Sequence, residues 1–196
     1  MPGILVVYYS RHGATARLAE CIATGIEAVA DCQAVVRSLP EVSADNQQTQ
    51  PVVPEQGPPF ATIDDLKDCD GLVLGSPAYF GSMAAEVKHF LDQTTPLWIS
   101  GALIGKPAAV FTSSSSMHGG QENVLLNLMT PLLHHGMVIC GIPYSESALH
   151  QTRSGGTPYG ASHLAAERPA ELTSDESELA DALGRRIAGL AARLKP

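Results

Sequence analysis

Five short apolar runs punctuate the chain: Ile4–Tyr9, Ala34–Val36, Gly71–Ser76, Pro107–Thr112 and Met137–Ile142. Each has the length of a buried parallel strand rather than of a half-exposed one, because apolar residues follow one another without alternation. Between them, apolar positions recur at helical spacing. Leu18, Ile22, Ile26 and Val29 predict a helix from Thr15 to Ala30, and Met83, Val87, Phe90 and Leu91 mark one face of another. Gln121 to His134 is strongly apolar through Leu125, Leu128, Met129, Leu132 and Leu133, with Gly136 placed to stop it. The last helix opens on the capping box Thr173-Ser-Asp-Glu176 and carries the stripe Leu179, Leu183, Ile187, Leu190 and Leu194. Thr62 reads as the N-cap of a brief helix over Ile63 to Lys67.

Strands alternating with helices predict an α/β fold, a doubly wound five-stranded parallel sheet in the order 2-1-3-4-5. The chain reads as one domain over residues 1–196, with surface excursions near 39–61 and 143–170 and a linker carrying Trp98. No internal repeat is evident. In such a sheet ligands collect beyond the C-terminal strand ends, at the switch in strand order. The loops after the first, third and fourth strands have unusual composition, and that order makes those strands neighbours.

The first loop, Ser10-Arg-His-Gly-Ala-Thr15, puts hydroxyls and a glycine where a strand ends and a helix begins. Unpaired N–H groups and the positive end of the helix dipole make that junction a phosphate seat. A plain structural turn would look much the same. The loop is neither G-x-x-x-x-G-K-[ST] nor G-x-G-x-x-G, which disfavours a triphosphate P-loop and a standard dinucleotide site. The third-strand loop, Pro77-Ala-Tyr-Phe-Gly-Ser82, offers a stiffened backbone and two aromatic rings. The fourth, Ser113-Ser-Ser-Ser-Met-His-Gly-Gly120, reads either as a flexible linker or as a binding loop, and its position in an α/β unit favours the second. Together the three loops suit a ligand with a phosphate, a polyol chain and a flat ring.

Charge and composition narrow the classes. A net charge of −8 with no Lys/Arg cluster argues against nucleic acid binding. No run approaches membrane-spanning length and no signal peptide is evident, so a cytoplasmic location is expected. Cys21, Cys32, Cys69 and Cys140 form no C-x-x-C pair and read as buried free thiols. The seven histidines have no metal-ligand spacing, so no metal is expected, and without a G-x-S-x-G elbow a serine hydrolase is disfavoured.

The segments Tyr8-Tyr-Ser-Arg-His-Gly13, Gly75-Ser-Pro-Ala-Tyr-Phe-Gly81, Phe90-Leu-Asp-Gln-Thr94, Leu97-Trp98, Gly119-Gly-Gln-Glu122, His134-His-Gly-Met137 and Gly155-Gly-Thr-Pro-Tyr-Gly160 carry a resemblance that runs essentially end to end. The chain resembles the WrbA (tryptophan repressor-binding protein) family of flavodoxin-like NAD(P)H:quinone oxidoreductases. That resemblance implies FMN as cofactor, NADH or NADPH as hydride donor, two-electron ping-pong transfer through flavin N5 to a quinone, and a homotetramer. By the same resemblance, Ser10, Arg11, His12, Gly13, Ala14 and Thr15 hold the FMN phosphate, and Pro77, Ala78, Tyr79 and Phe80 flank the ring. Ser113, Ser114, Ser115, Ser116, Met117 and His118 wrap the ribityl chain and ring edge. His12 falls at the nicotinamide-nucleotide position, Trp98 at the substrate wall, and His134 at the flavin as the catalytic candidate.

By helix position alone, His134 and His135 would both be partners for terminal carbonyls. The resemblance moves His134 to flavin contact and leaves His135 structural. Three features depart from the family pattern: Ala78-Tyr79 stands where many members carry Thr-Arg, His12 where tyrosine is frequent, and the serine loop is slightly longer. A one-electron carrier and a flavin-dependent protein-interaction module are the alternative functions.

Overall fold

The computed structural model describes residues 1–43, 54, 56–166 and 171–194. Its centre is a parallel sheet built from β1 (Gly3–Tyr8), β2 (Gln33–Ser38), β3 (Gly71–Tyr79) and β5 (Pro107–Ser114) in the order β2-β1-β3-β5. Successive β1 residues point to opposite faces, and both faces are covered. Ile4, Val6 and Tyr8 pack with α1 (Ala14–Glu27) and α7 (Ser174–Leu194). Leu5, Val7 and Tyr9 pack with α2 (Ile63–Asp68), α3 (Ala85–Asp92) and α5 (Gln121–His134). Burial on both faces explains the unbroken apolar runs. The predicted doubly wound fold and strand order hold.

The fifth position of the sheet differs from expectation. Met137–Ile142 supplies only the two-residue strand β6 (Val138–Ile139), paired to Pro107 and Ala108 at the start of β5. The ladder ends at Cys140, whose N–H donates to Ala108 O at 2.8 Å, and Ile142 N turns away to Pro158 O at 2.9 Å. The chain passes through α6 (Ala148–Gln151) and returns as β7 (Ala161–Leu164), parallel to Phe111–Ser114. Two strands therefore share one edge of β5, and the second excursion contains an element of the sheet. Short, mixed in polarity and flanked by glycine, Ala161-Ser-His-Leu carries little strand signal of its own.

A buried carboxylate holds that return in place. Glu176 Oε1 accepts from the Gly155 and Leu164 N–H groups at 2.8 and 2.9 Å, and Oε2 accepts from Thr173 N and His163 Nδ1, each at 2.9 Å. A Cβ on Gly155 would lie 2.0 Å from Ser162 O, so only glycine allows this approach. The predicted capping box is present, with Thr173 Oγ1 accepting from Glu176 N at 3.2 Å. Burial alone would raise the Glu176 pKa. The hydrogen bonds from His163, Leu164 and Thr173, with the His163 charge, outweigh it and hold the carboxyl at about 2.

Other boundaries move by less. The first helix begins one residue earlier and ends three earlier than predicted. β3 runs on to Tyr79 and folds back as β4 (Ser82–Met83), so Met83 belongs to a hairpin rather than to the helix behind it. Trp98 sits in the short helix α4 (Thr95–Ser100), not in a linker. Thr62 caps α2 as expected, with Asp65 completing a capping box, and all four cysteines are free thiols, Cys32, Cys69 and Cys140 buried but Cys21 only half-buried. Residues 44–53 and 55 of the excursion near 39–61 lie outside the described residues. Its end returns to the sheet edge, where Ala61 N donates to Ser38 O at 2.8 Å. Among the described residues no helix is long and apolar enough to cross a membrane, and no group of three His, Cys, Asp or Glu side chains is placed to hold a metal.

Candidate functional site

The three loops singled out by composition meet at one cleft of about 400 Å³, lined by Ser10, Arg11, His12, Ala14, Thr15, Pro77, Ala78, Tyr79, Ser113, Ser114 and Ser115, with Ala165 and Ala166 completing it. That volume lies within the range of small-molecule sites. Strand register brings them together: β1, β3 and β5 are adjacent and parallel, so all three loops leave from the same sheet edge.

Below the first loop, Gly13 precedes α1 at φ 88°, the left-handed region, and a Cβ there would point into open space. Glycine is needed here for its backbone angle, not for room. The helix has no cap from its own N-cap side chain. Instead Ser10 Oγ reaches forward and accepts from Ala16 N at 3.2 Å, which leaves the hydroxyl proton to donate outward. Among the described residues the N–H groups of Ala14 and Thr15 have no protein acceptor. Thr15 Oγ1 lies 2.9 Å from Ser113 Oγ, buried, and ties the first loop to the serine loop. This is an anion seat whose donors are already aimed.

Above it, the β3 loop is rigid. Buried Ser76 donates to Pro77 O and accepts from Ala84 N, both at 2.8 Å, while Thr112 Oγ1 donates to Ser76 O at 2.7 Å. At the hairpin tip Phe80 adopts φ 51° and is fully exposed, and Asn123 Nδ2 anchors the turn by donating to Gly81 O at 2.6 Å. Phe80 therefore stands beyond the cleft lining.

Of the serine loop, Ser113 and Ser114 belong to β5 and are buried, whereas Ser115 to His118 are exposed. Ser114 Oγ donates to Ser116 O at 2.7 Å and accepts from Gln121 Nε2 at 2.8 Å. Ser116, Met117 and His118 lie outside the lining. Ala165 N donates to Ser114 O at 2.7 Å, and this bond carries β7 into the far wall. Sequence reasoning missed Ala165 and Ala166, whose only signal is that Glu176 fastens the strand before them.

Arg11 is the permanent cation of this cleft. Its guanidinium is exposed, and the Tyr79 side chain, followed by Tyr9, raises its pKa further. Tyr9 behind it is buried, and burial followed by the Glu86 charge pushes its hydroxyl well above the ordinary range. A cation therefore stands at the mouth of the phosphate seat without a lysine in the loop.

His134 and Trp98 do not reach this cleft. They line a second one of about 550 Å³, with Leu91, Thr94, Pro131 and His135 among its walls. His134 is exposed at the end of α5, where Gly136 at φ 74° closes a Schellman motif: Gly136 N donates to Leu133 O at 2.9 Å and Met137 N to Leu132 O at 3.1 Å. His135, by contrast, is buried, and its Nε2 lies 2.8 Å from Thr94 Oγ1. Burial, with His134 beside it, lowers its pKa.

FMN fits the first cleft by the chemistry of its donors. Free N–H groups, outward hydroxyls and the α1 dipole match a phosphate, the Ser113–Ser115 hydroxyls match a polyol, and the flat Pro77–Tyr79 segment matches a ring.

Residues 3–150 match the family described as NADPH-dependent FMN reductase. Proteins named NAD(P)H dehydrogenase (quinone) from Geobacter sulfurreducens and Syntrophobacter fumaroxidans are 44% and 42% identical to the chain, each covering 97% of it and 98% of the relative. Among solved structures, the flavodoxin WrbA-like protein from Agrobacterium tumefaciens superposes with a TM-score of 0.71 at 23% identity, over 100% of both chains. Oxidised flavodoxin 1 from Bacillus cereus gives 0.62 at 16% identity, over 95% of this chain and 97% of that one. The chain belongs to the NADPH-dependent FMN reductase family, on a flavodoxin-like fold.

Proposed function

We propose that this protein is an FMN-dependent NAD(P)H:quinone oxidoreductase. The observation that carries this reading is the first cleft, where three loops from adjacent strands aim phosphate, polyol and ring contacts at one space in a chain with quinone-dehydrogenase relatives. FMN held there would supply the redox chemistry, two-electron ping-pong transfer through N5 between NADH or NADPH and a quinone.

The chain's residues bind and orient. Ser10, Thr15 and the N–H groups of Ala14 and Thr15 hold the phosphate. The backbone from Pro77 to Tyr79 flanks the ring, and Ser113, Ser114 and Ser115 enclose the ribityl chain, with Phe80 and Ser116 to His118 standing outside the cleft. Arg11 and His12 at the mouth receive the anionic nicotinamide nucleotide.

His134 and Trp98 act from a neighbouring copy in a homotetramer, the second cleft of one subunit closing over the first cleft of another. Their separation from the phosphate seat within one chain supports this, as do exposed Trp98 in that second cleft and the exposed apolar side chains Ile99 and Leu133 next to its lining residues in sequence. His134 then supplies a donor where negative charge develops. A quinone is the small-molecule partner, and neither nucleic acid nor membrane insertion is part of this reading. The test is NADH and NADPH oxidation by the FMN-loaded protein with and without benzoquinone. Quinone-dependent turnover is expected, and its absence with both nucleotides refutes the assignment.

A further inference from the structure

Two residues outside the cofactor cleft connect the walls of the second one. Thr94 is the N-cap of α4, and its carbonyl accepts from Leu97 N at 2.9 Å and Trp98 N at 3.1 Å, so it sets where Trp98 begins its turn. Its hydroxyl has one proton, donated to Leu91 O at 2.6 Å. The 2.8 Å contact with His135 Nε2 must then be donated by the histidine. This fixes the tautomer: Nε2 carries the proton and Nδ1 is a lone-pair acceptor.

Among the described residues, that Nδ1 is the one buried side-chain polar atom without a partner. Leaving it unpaired is costly, and an apolar side chain filling the same space would avoid the cost. The imidazole gives one thing an apolar group cannot, the Nε2–H bond across to Thr94. α4 needs such an anchor, because Leu97 is its single buried residue among Thr95–Ser100.

We propose that Thr94 and His135 are positioning residues, their buried hydrogen bond tying the helix start that carries Trp98 to the helix end that presents His134 and so setting the wall on which the quinone ring packs. This rests on reading the second cleft as the substrate wall. Neither residue touches the cofactor cleft, so the bond governs substrate geometry and leaves FMN binding alone.

Trp98 is the single tryptophan of the chain, which makes its emission a direct report on this wall. The experiment uses the FMN-loaded protein and four variants: Thr94→Val and His135→Leu, which break the bond, and Thr94→Ser and His135→Gln, which keep an acceptor or a donor in place. The first pair is expected to shift the Trp98 emission and raise the benzoquinone KM about five- to tenfold, the equivalent of one neutral hydrogen bond. FMN affinity is unchanged, since the phosphate seat is built from groups the bond does not reach. The second pair stays near the parent protein in both readouts.

Unchanged emission and KM in Thr94→Val and His135→Leu overturn the proposal. So does an equal shift in Thr94→Ser, or loss of folding in both bond-breaking variants, which makes the pair structural alone. If the parent protein has no quinone turnover the functional assignment fails, and the emission of the four variants still decides whether the bond positions Trp98.

Discussion

Thr15 Oγ1 and Ser113 Oγ lie 2.9 Å apart and buried, joining the start of α1 to the end of β5 across 98 residues of sequence. One hydroxyl proton is spent between them, so the other is free to donate toward a phosphate at the helix N-terminus. The pair thus both closes the cleft floor and equips it. Thr15→Val keeps the shape and removes the hydroxyl. FMN affinity, followed by flavin fluorescence titration, is expected to fall about tenfold, the value of one hydrogen bond to a charged group. An unchanged dissociation constant would place the phosphate elsewhere.

Glu176 gives the fold an acid-sensitive joint. Its carboxyl titrates at about 2 when folded against an ordinary value of 4.5. A carboxyl whose folded pKa is depressed contributes fully above the unfolded value and loses that contribution as pH falls through the folded one. The stability at stake is roughly 3 kcal/mol, lost between about pH 4.5 and pH 2. Glu176→Gln places an amide N–H₂ against N–H donors and removes most of this acid dependence at the cost of lower stability at pH 7. Denaturant unfolding of both proteins from pH 2 to pH 7 checks it. Parallel pH curves would assign the acid sensitivity to other groups.

Where sequence was legible, a local pattern and a long-range contact pointed the same way. Buried strands read as apolar runs, and the Gly136 stop and the Thr173–Glu176 box formed as their residue types dictate. β7 was not legible because its pairing is dictated from outside, by Glu176 and β5 rather than by its own four residues. The cleft follows from strand adjacency, which the alternation of strands and helices already implies for its three loops. Ala165 and Ala166 entered it only through the missed strand. The gap between the first cleft and the Trp98–His134 wall has no sequence signature, since a pattern along one chain does not say whether two segments meet in that chain or across copies.

Arg11 stands at the mouth of the phosphate seat, in the cleft that Tyr79 also lines. An exposed cation there acts mainly by attracting anions and is screened by salt. Arg11→Met is expected to raise the NADPH KM about threefold at low ionic strength, with little effect at high salt. Its kcat with saturating nucleotide stays close to the parent value. Steady-state kinetics across a salt series tests this, and a salt-independent loss would instead mean a fixed contact with the nucleotide or the flavin.

Two separate clefts allow a complementation test of assembly. Thr15→Asp puts a negative charge against the phosphate and disables the first cleft, whereas His134→Ala strips the proposed donor from the second. Each variant alone is expected to turn over benzoquinone at least tenfold more slowly than the parent protein. When the two are unfolded, mixed and refolded together, some sites combine an intact first cleft from one chain with an intact second cleft from the other. Random pairing in a symmetric assembly restores about a quarter of the parent activity. If each chain built its whole site alone, every site in the mixture would carry one lesion and no activity would return. Activity of the mixed sample, compared with each variant refolded separately, therefore decides whether His134 and Trp98 serve their own subunit or its neighbour.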